Sequence, residues 1–127
     1  MVKTALVSTD IDRGLDVVKA LERAKIKVNA ALWAVLPEYE DWRLVVASRD
    51  FDKLDFMGAI GLLHEALGAA GFTPHNKPTT MILNMSDPTI KDLRRWYAKM
   101  KDVEGMRPGG QMIGNRFVED AYVYRIS

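Results

Sequence analysis

Cysteine is absent from this sequence, and histidine occurs only twice among its 127 residues, as His64 and His75. Without cysteine the chain has no disulfide, no thiol nucleophile and no thiolate ligand for a metal. The two histidines do not stand at the spacing of a zinc motif, and no serine lies in a G-x-S-x-G motif. We therefore expect neither a metal ion nor another cofactor, and the sequence favours a protein without catalytic activity.

The sequence also lacks a long apolar run and a strong net charge. No segment approaches the roughly 18–20 apolar residues that cross a bilayer. In the opening segment MVKTALVSTDIDRG, the apolar run is too short for a secretory signal. Hydrophobic residues make up 48% of the chain, charged residues 28%, and the net charge is +1. This composition predicts a single soluble domain over residues 1–127, located in the cytoplasm and without a membrane partner.

The hydrophobic pattern predicts the element order α-β-β-α-β-α-β. Apolar residues recur at helical spacing in three segments, of which the third opens with a capping acid and a proline, Asp87-Pro88. Extended or alternating apolar runs predict four strands, at 28–36, 42–48, 80–85 and 116–126. Runs of this kind predict an α+β domain in which helices pack on a mostly antiparallel sheet.

The closing segment RPGGQMIGNRFVEDAYVYRIS begins like a phosphate-binding loop. Gly109 and Gly114 match the first half of G-x-x-x-x-G-K-[ST], but Asn115 and Arg116 stand where lysine and a hydroxyl are needed. The loop also runs from helix to strand, so no helix N-terminus faces the ligand. We interpret it as a mobile approach to the last strand, which is apolar on both faces and is therefore predicted to lie inside the sheet.

The predicted hairpin carries the first functional hypothesis. If Leu36 faces Trp42, Trp33 lies on the face opposite the core, together with Arg43 and Arg49. A tyrosine at the loop tip contacts only solvent or a partner. We predict a contact surface on a non-catalytic accessory or interaction protein that acts through a protein partner or self-association: Trp33, Tyr39, Arg43 and Arg49.

Nucleic-acid binding is the alternative function. Basic residues crowd the third predicted helix and the start of the last strand, and such a face can neutralise phosphates: Lys91, Arg94, Arg95, Lys99 and Arg116. Acids such as Asp92 dilute this patch, and an ordinary solvated helix face has the same pattern. A third hypothesis is a small metal-independent nuclease in which His64 and His75 act as acid and base.

Two blocks, AALWAVLPEYEDWRLVVAS at 30–48 and VEDAYVYRI at 118–126, resemble a group of short bacterial proteins of unassigned function. In that group a leading helix meets an A-L-W strand and a W-R-L-V hairpin partner. The resemblance covers about a quarter of the chain and implies a helical N-terminus, including Lys3 to Val7, which the residues alone leave open between helix and strand. It implies no activity and no catalytic residue.

Overall fold

A computed structural model describes residues 5–39 and 41–127 and confirms the α+β class and the order of the main elements. The helices are α1 (Ser8–Arg23), α2 (Arg49–Asp52), α3 (Phe56–Ala69) and α4 (Pro88–Tyr97). The strands are β1 (Ala30–Val35), β2 (Arg43–Ala47), β3 (Thr80–Ile82), β4 (Gln111–Ile113), β5 (Arg116–Val118) and β6 (Asp120–Ile126). Within the described ranges no helix is both long and apolar enough to cross a membrane.

The main sheet has the strand order β3-β2-β1-β6. β1 is antiparallel to β2 and to β6, whereas β2 and β3 are parallel. A short loop is sufficient to join the antiparallel pair β1–β2, but a parallel pair requires a crossover, and α3 supplies it between β2 and β3. β4 and β5 form a separate antiparallel hairpin.

Both faces of the sheet are buried. On one face, Leu63 and Leu67 of α3 and residues of α1 form the first core with alternate strand residues, among them Ala31, Trp33, Val35, Leu44 and Val46. On the other face α4 and the β4–β5 hairpin form the second core, which includes Leu32, Ala34, Val45, Ile90, Leu93, Ile113, Val118 and Val123. Every residue of β1 is therefore buried, as expected for a strand covered on both sides.

The helix ends follow capping rules only in part. Asp87 caps α4 by accepting a hydrogen bond from Thr89 N at 2.9 Å, and Pro88 is the first helical residue, as the sequence predicts. α1 begins after Val7, whose N–H donates to Asp10 Oδ2 at 3.2 Å. Residues 5–7 are not helical, so the helix predicted over Lys3 to Val7 is wrong there, and positions 3 and 4 lie outside the described residues.

The hairpin register differs from the prediction by one residue. Trp33 pairs with Leu44 and Ala34 with Arg43, so Leu36 does not face Trp42. Because successive strand residues point to opposite faces, a slip of one residue exchanges the faces of a whole strand. Trp33 and Trp42 thereby both enter the first core, which buries two large aromatic side chains instead of one.

β6 lies at the end of the strand order, so the prediction that the last strand is inside the sheet is wrong. Its outer side is nevertheless partly covered, because Gly105 N donates to Val123 O at 2.8 Å and Val123 N donates to Met106 O at 3.0 Å. β6 is apolar on both faces because a layer packs on each face. The predicted strand 116–126 is split, and its first part pairs with β4 around a turn in which Gly114 has φ +66°.

Candidate functional site

On its outer edge, β3 forms no backbone hydrogen bond with any other segment in residues 5–39 and 41–127. Leu44 N donates to Thr79 O at 2.8 Å and Leu83 N donates to Val46 O at 3.0 Å, so these β3-side groups point inward to β2. Alternation along the strand places the N–H and C=O groups of Thr80 and Ile82 on the opposite, outer side. Such groups are a template for an added strand.

A cleft of about 470 Å³ runs along this edge. We call it the β3 cleft and define it by one wall from the β1–β2 hairpin, one wall from α3, and the strand between them: Tyr39, Arg43, Phe56, Ile60, His64, Thr80, Met81 and Ile82. α3 packs on the first core, whereas Tyr39 packs on the second core. The edge of the sheet therefore forms the floor of the cleft, with one wall on each side.

The hairpin wall is a stacked pair. The guanidinium carbon of Arg43 lies 3.8 Å from the centre of the Tyr39 ring, which is a close cation–π contact. Arg43 forms no ion pair with any residue in the described ranges. The sequence predicted these two residues as contact residues, and the structure brings them together.

The α3 wall carries exposed apolar side chains that the sequence did not predict as contact residues. Asp55 starts α3 by accepting a hydrogen bond from Gly58 N at 2.7 Å. Phe56 and Met57 follow directly and are 67% and 72% exposed, because the helix turns Ala59 and Leu63 to the first core. The sequence does contain a signal for this exposure. Two large apolar residues stand next to each other at the start of the helix, and a single buried stripe needs only one of them.

The other two predicted contact residues lie elsewhere. Trp33 is only 5% exposed, so its predicted surface position is wrong, because both faces of the sheet are covered and the observed register places Trp33 in the first core. Its indole Nε1 donates to the Tyr124 hydroxyl at 2.9 Å, and that hydroxyl donates to Ile11 O at 2.6 Å. Arg49 is exposed at the start of α2 and does not line the β3 cleft.

The Trp33–Tyr124 pair has a structural role. Burial raises the pKa of the Tyr124 hydroxyl above its ordinary value, and the hydrogen bond from Trp33 lowers that pKa by a smaller amount. A phenol kept neutral in this way is held by one donor and one acceptor of the protein itself. It therefore joins β1, β6 and α1.

The basic residues of the nucleic-acid hypothesis are largely engaged within the protein. Arg95 pairs with Asp92 at 2.8 Å and Arg116 pairs with Asp87 at 3.2 Å. Arg94 Nε donates to Ser127 O at 2.9 Å. The remaining members of the predicted patch, Lys91 and Lys99, are exposed on α4 and just after it. The neighbouring acids thus reduce the positive potential that phosphates would meet.

No hydrogen bond joins the two histidines. His64 Nδ1 lies 2.9 Å from Lys77 Nζ, while His75 is exposed in a separate turn. Several acids serve as backbone acceptors: Asp50 for Lys27 N at 2.9 Å and Asp52 for Met85 N at 3.1 Å. Among the residues that the structure describes, no group of three or more histidines and acids is placed to hold a metal ion.

Fold and site together define an α+β protein whose sheet has helices or a hairpin on both faces and one open edge beside an apolar cleft. Comparison of the chain with protein-family models, with curated proteins and with solved structures finds no match. The resemblance to short bacterial proteins therefore stays a prediction. The function has to be argued from the chain's own residues.

Proposed function

We propose that this is a non-catalytic interaction protein that binds an extended segment of a protein partner along the outer edge of β3. The single observation that carries the proposal is the open edge of Thr80 and Ile82 beside the exposed Phe56 side chain. An added strand would hydrogen-bond to the outward backbone groups of β3. Its side chains would point alternately to the two sides and would contact the two walls of the cleft.

The two walls specify different side chains in the partner. Phe56 and Ile60 offer an apolar surface on the α3 side, which suits an aliphatic or aromatic residue. Arg43, stacked on Tyr39, offers a positive charge on the other side, which suits a carboxylate. Because strand residues alternate between faces, the expected segment carries apolar and acidic residues at alternate positions.

The short length of β3 limits the strength of the interaction. β3 has three residues and is preceded by Pro78, features that protect an edge from indiscriminate pairing. The outward N–H and C=O groups of two residues provide up to about four backbone hydrogen bonds. Specificity must therefore come from Phe56 and Arg43.

The test compares two phenylalanines that are exposed on different parts of the molecule. Phe56→Ala truncates the wall of the β3 cleft, whereas Phe117→Ala truncates the β4–β5 hairpin, where Phe117 is 41% exposed. Affinity capture from the source cell uses the wild-type protein and both variants as baits, with circular dichroism as the check on folding. We expect a protein retained by the wild type and by Phe117→Ala but lost with Phe56→Ala.

A binding measurement with the captured protein then locates the contact. We expect Phe56→Ala to raise the Kd by about 10- to 30-fold, the usual effect of truncating a central aromatic residue. The amide resonances of Thr80 and Ile82 should shift on binding. Equal capture by all three baits would contradict the proposal, and a mass doubling of the isolated protein that Phe56→Ala abolishes would identify a second copy as the occupant.

A further inference from the structure

A second cleft, of about 430 Å³, lies between α1 and the segment that follows α3. It shares no lining residue with the β3 cleft. We call it the α1 groove and define it by four charged residues of α1 together with Phe72 and Asn76: Arg13, Asp16, Lys19 and Arg23. It belongs to no site that the sequence pattern predicted.

The charged residues of the α1 groove follow one another at spacings of three, three and four positions. Residues at these spacings are neighbours on one helix face. With a rise of 1.5 Å per residue, the row from Arg13 to Arg23 is about 15 Å long. The three cations therefore lie in a row, and because Asp16 carries one negative charge, the four side chains together have a net charge of +2.

The cations of the groove are unpaired in a molecule that pairs many of its other arginines. Within the described ranges Arg13, Lys19 and Arg23 form no ion pair, even though Asp16 stands three positions from the first two. Other arginines of the protein do form ion pairs with acidic side chains, as in Arg107–Asp120 at 2.9 Å and Arg125–Glu22 at 3.2 Å. The positive charge of the groove is thus not neutralised from inside.

Asn76 adds an oriented donor on the opposite wall. Its Oδ1 accepts hydrogen bonds from Thr73 N at 2.7 Å and Thr73 Oγ1 at 3.2 Å. The oxygen is engaged in the turn, so the Nδ2 group is left as a donor without a hydrogen bond to a described residue. Gly71 follows the end of α3 with φ +93°, and the space where a Cβ would lie is open.

We propose that the α1 groove binds a chain of two or more phosphoryl groups. Guanidinium and ammonium groups on a row of about 15 Å match charges that are spread along a ligand, and they bind phosphate oxygens strongly. Asp16 offsets the weak attraction of a singly charged anion but not that of a triphosphate. A free oligophosphate and the phosphate tail of a nucleotide share this chemistry, and the half-buried Phe72 would contact a base only in the second case.

The cations of the groove have another explanation, which the test must separate. α3 has no basic residue in its own last turn, so nearby cations on α1 would also stabilise its C-terminal carbonyls. In that case Arg13→Gln and Arg23→Gln would lower the melting temperature slightly and would leave anion binding unchanged.

The experiment is isothermal titration of the full chain with inorganic triphosphate and with adenosine triphosphate, without magnesium and at low salt. We expect one saturable site, with a loss of affinity of about 10-fold or more in Arg13→Gln and in Arg23→Gln. In NMR spectra of the same titration, the amide resonances of residues 70–77 should shift. Lys99→Gln and Lys101→Gln remove the same charge from exposed positions outside the groove and should change affinity by less than about 2-fold.

The comparison of ligands assigns the source. Equal affinity for both probes supports the phosphate chain as the ligand, and tighter binding of adenosine triphosphate supports a nucleotide. Absence of saturable binding, or equal loss of affinity in the groove and control variants, would overturn the proposal. So would an oligothymidylate that binds many-fold tighter than either probe through the same residues, because it would replace a small ligand with a nucleic acid.

Discussion

Replacing Tyr124 with phenylalanine removes one hydroxyl group from the first core and breaks two hydrogen bonds. The hydroxyl accepts from Trp33 Nε1 at 2.9 Å and donates to Ile11 O at 2.6 Å. Each bond contributes about 1 kcal/mol net, and the indole N–H left buried without an acceptor costs a further 1–2 kcal/mol or so. We therefore expect the free energy of unfolding to fall by about 3 kcal/mol, a large share of the roughly 5–15 kcal/mol of a typical domain.

The assay is urea unfolding at pH 7 followed by circular dichroism, which does not depend on tryptophan emission. For a domain of this size, 3 kcal/mol corresponds to a lowering of the melting temperature by about 10 °C. Tyr122→Phe is the matched control. Tyr122 is on the same strand, its ring centre is 5.4 Å from that of Tyr124, and its hydroxyl has no hydrogen bond to a described residue. We expect it to cost less than about 0.5 kcal/mol.

A double-mutant cycle with Trp33→Phe isolates the shared hydrogen bond. Trp33 and Tyr124 are direct partners, so the two substitutions together should cost about 1 kcal/mol less than the sum of the single losses. If Tyr124→Phe costs no more than Tyr122→Phe, the Tyr124 hydroxyl contributes nothing net to stability. This result would refute the expected stabilisation by the two buried hydrogen bonds of Tyr124.

Two further predictions concern the same contact. Burial raises the pKa of Tyr124 in the folded protein, while an unfolded tyrosine loses its proton near pH 10, so stability should fall as pH rises above about 10, by at most about 1.4 kcal/mol per pH unit. Urea unfolding from about pH 9 to 11.5 should show a smaller loss of stability per pH unit for Tyr124→Phe than for the wild type. An equal slope in the two proteins would contradict the raised pKa. Gly14→Ala would place a Cβ 2.7 Å from Trp33 Nε1 and closer still to the Tyr124 hydroxyl, so we expect thermal unfolding to show a loss of about 2 kcal/mol of stability, although alanine favours helices. The control is Gly61→Ala in α3, which has open space at its Cβ and should gain up to about 1 kcal/mol of stability. A gain of stability in both variants would disprove the clash at Gly14.

The candidate site was accessible from the sequence only in part. Tyr39 and Arg43 were predicted as contact residues from a loop-tip position and a strand face, and the structure places both in the wall of the β3 cleft. Thr80 and Ile82 were predicted to lie in a strand at 80–85, but no local pattern shows which strand ends a sheet. That property depends on strand order, which is decided by contacts between distant segments.

Local chemistry determined several of the elements. The capping acid and proline of Asp87-Pro88 start α4, and the apolar periodicity of the α3 segment predicts a helix there. These features depend on neighbours within about one helical turn, which a sequence displays directly. The α+β class followed from the order of the elements alone.

Only the tertiary structure decided which faces are buried. Which of the two cores receives Trp33 depends on a one-residue choice of register, and both registers fit the local pattern of the hairpin. The choice is favoured by the hydrogen bond to Tyr124, a residue 91 positions away, and by the entry of both hairpin tryptophans into one core. The same packing that hides Trp33 leaves Phe56 and the edge of β3 exposed, so the location of the proposed contact surface was set by long-range packing and not by local pattern.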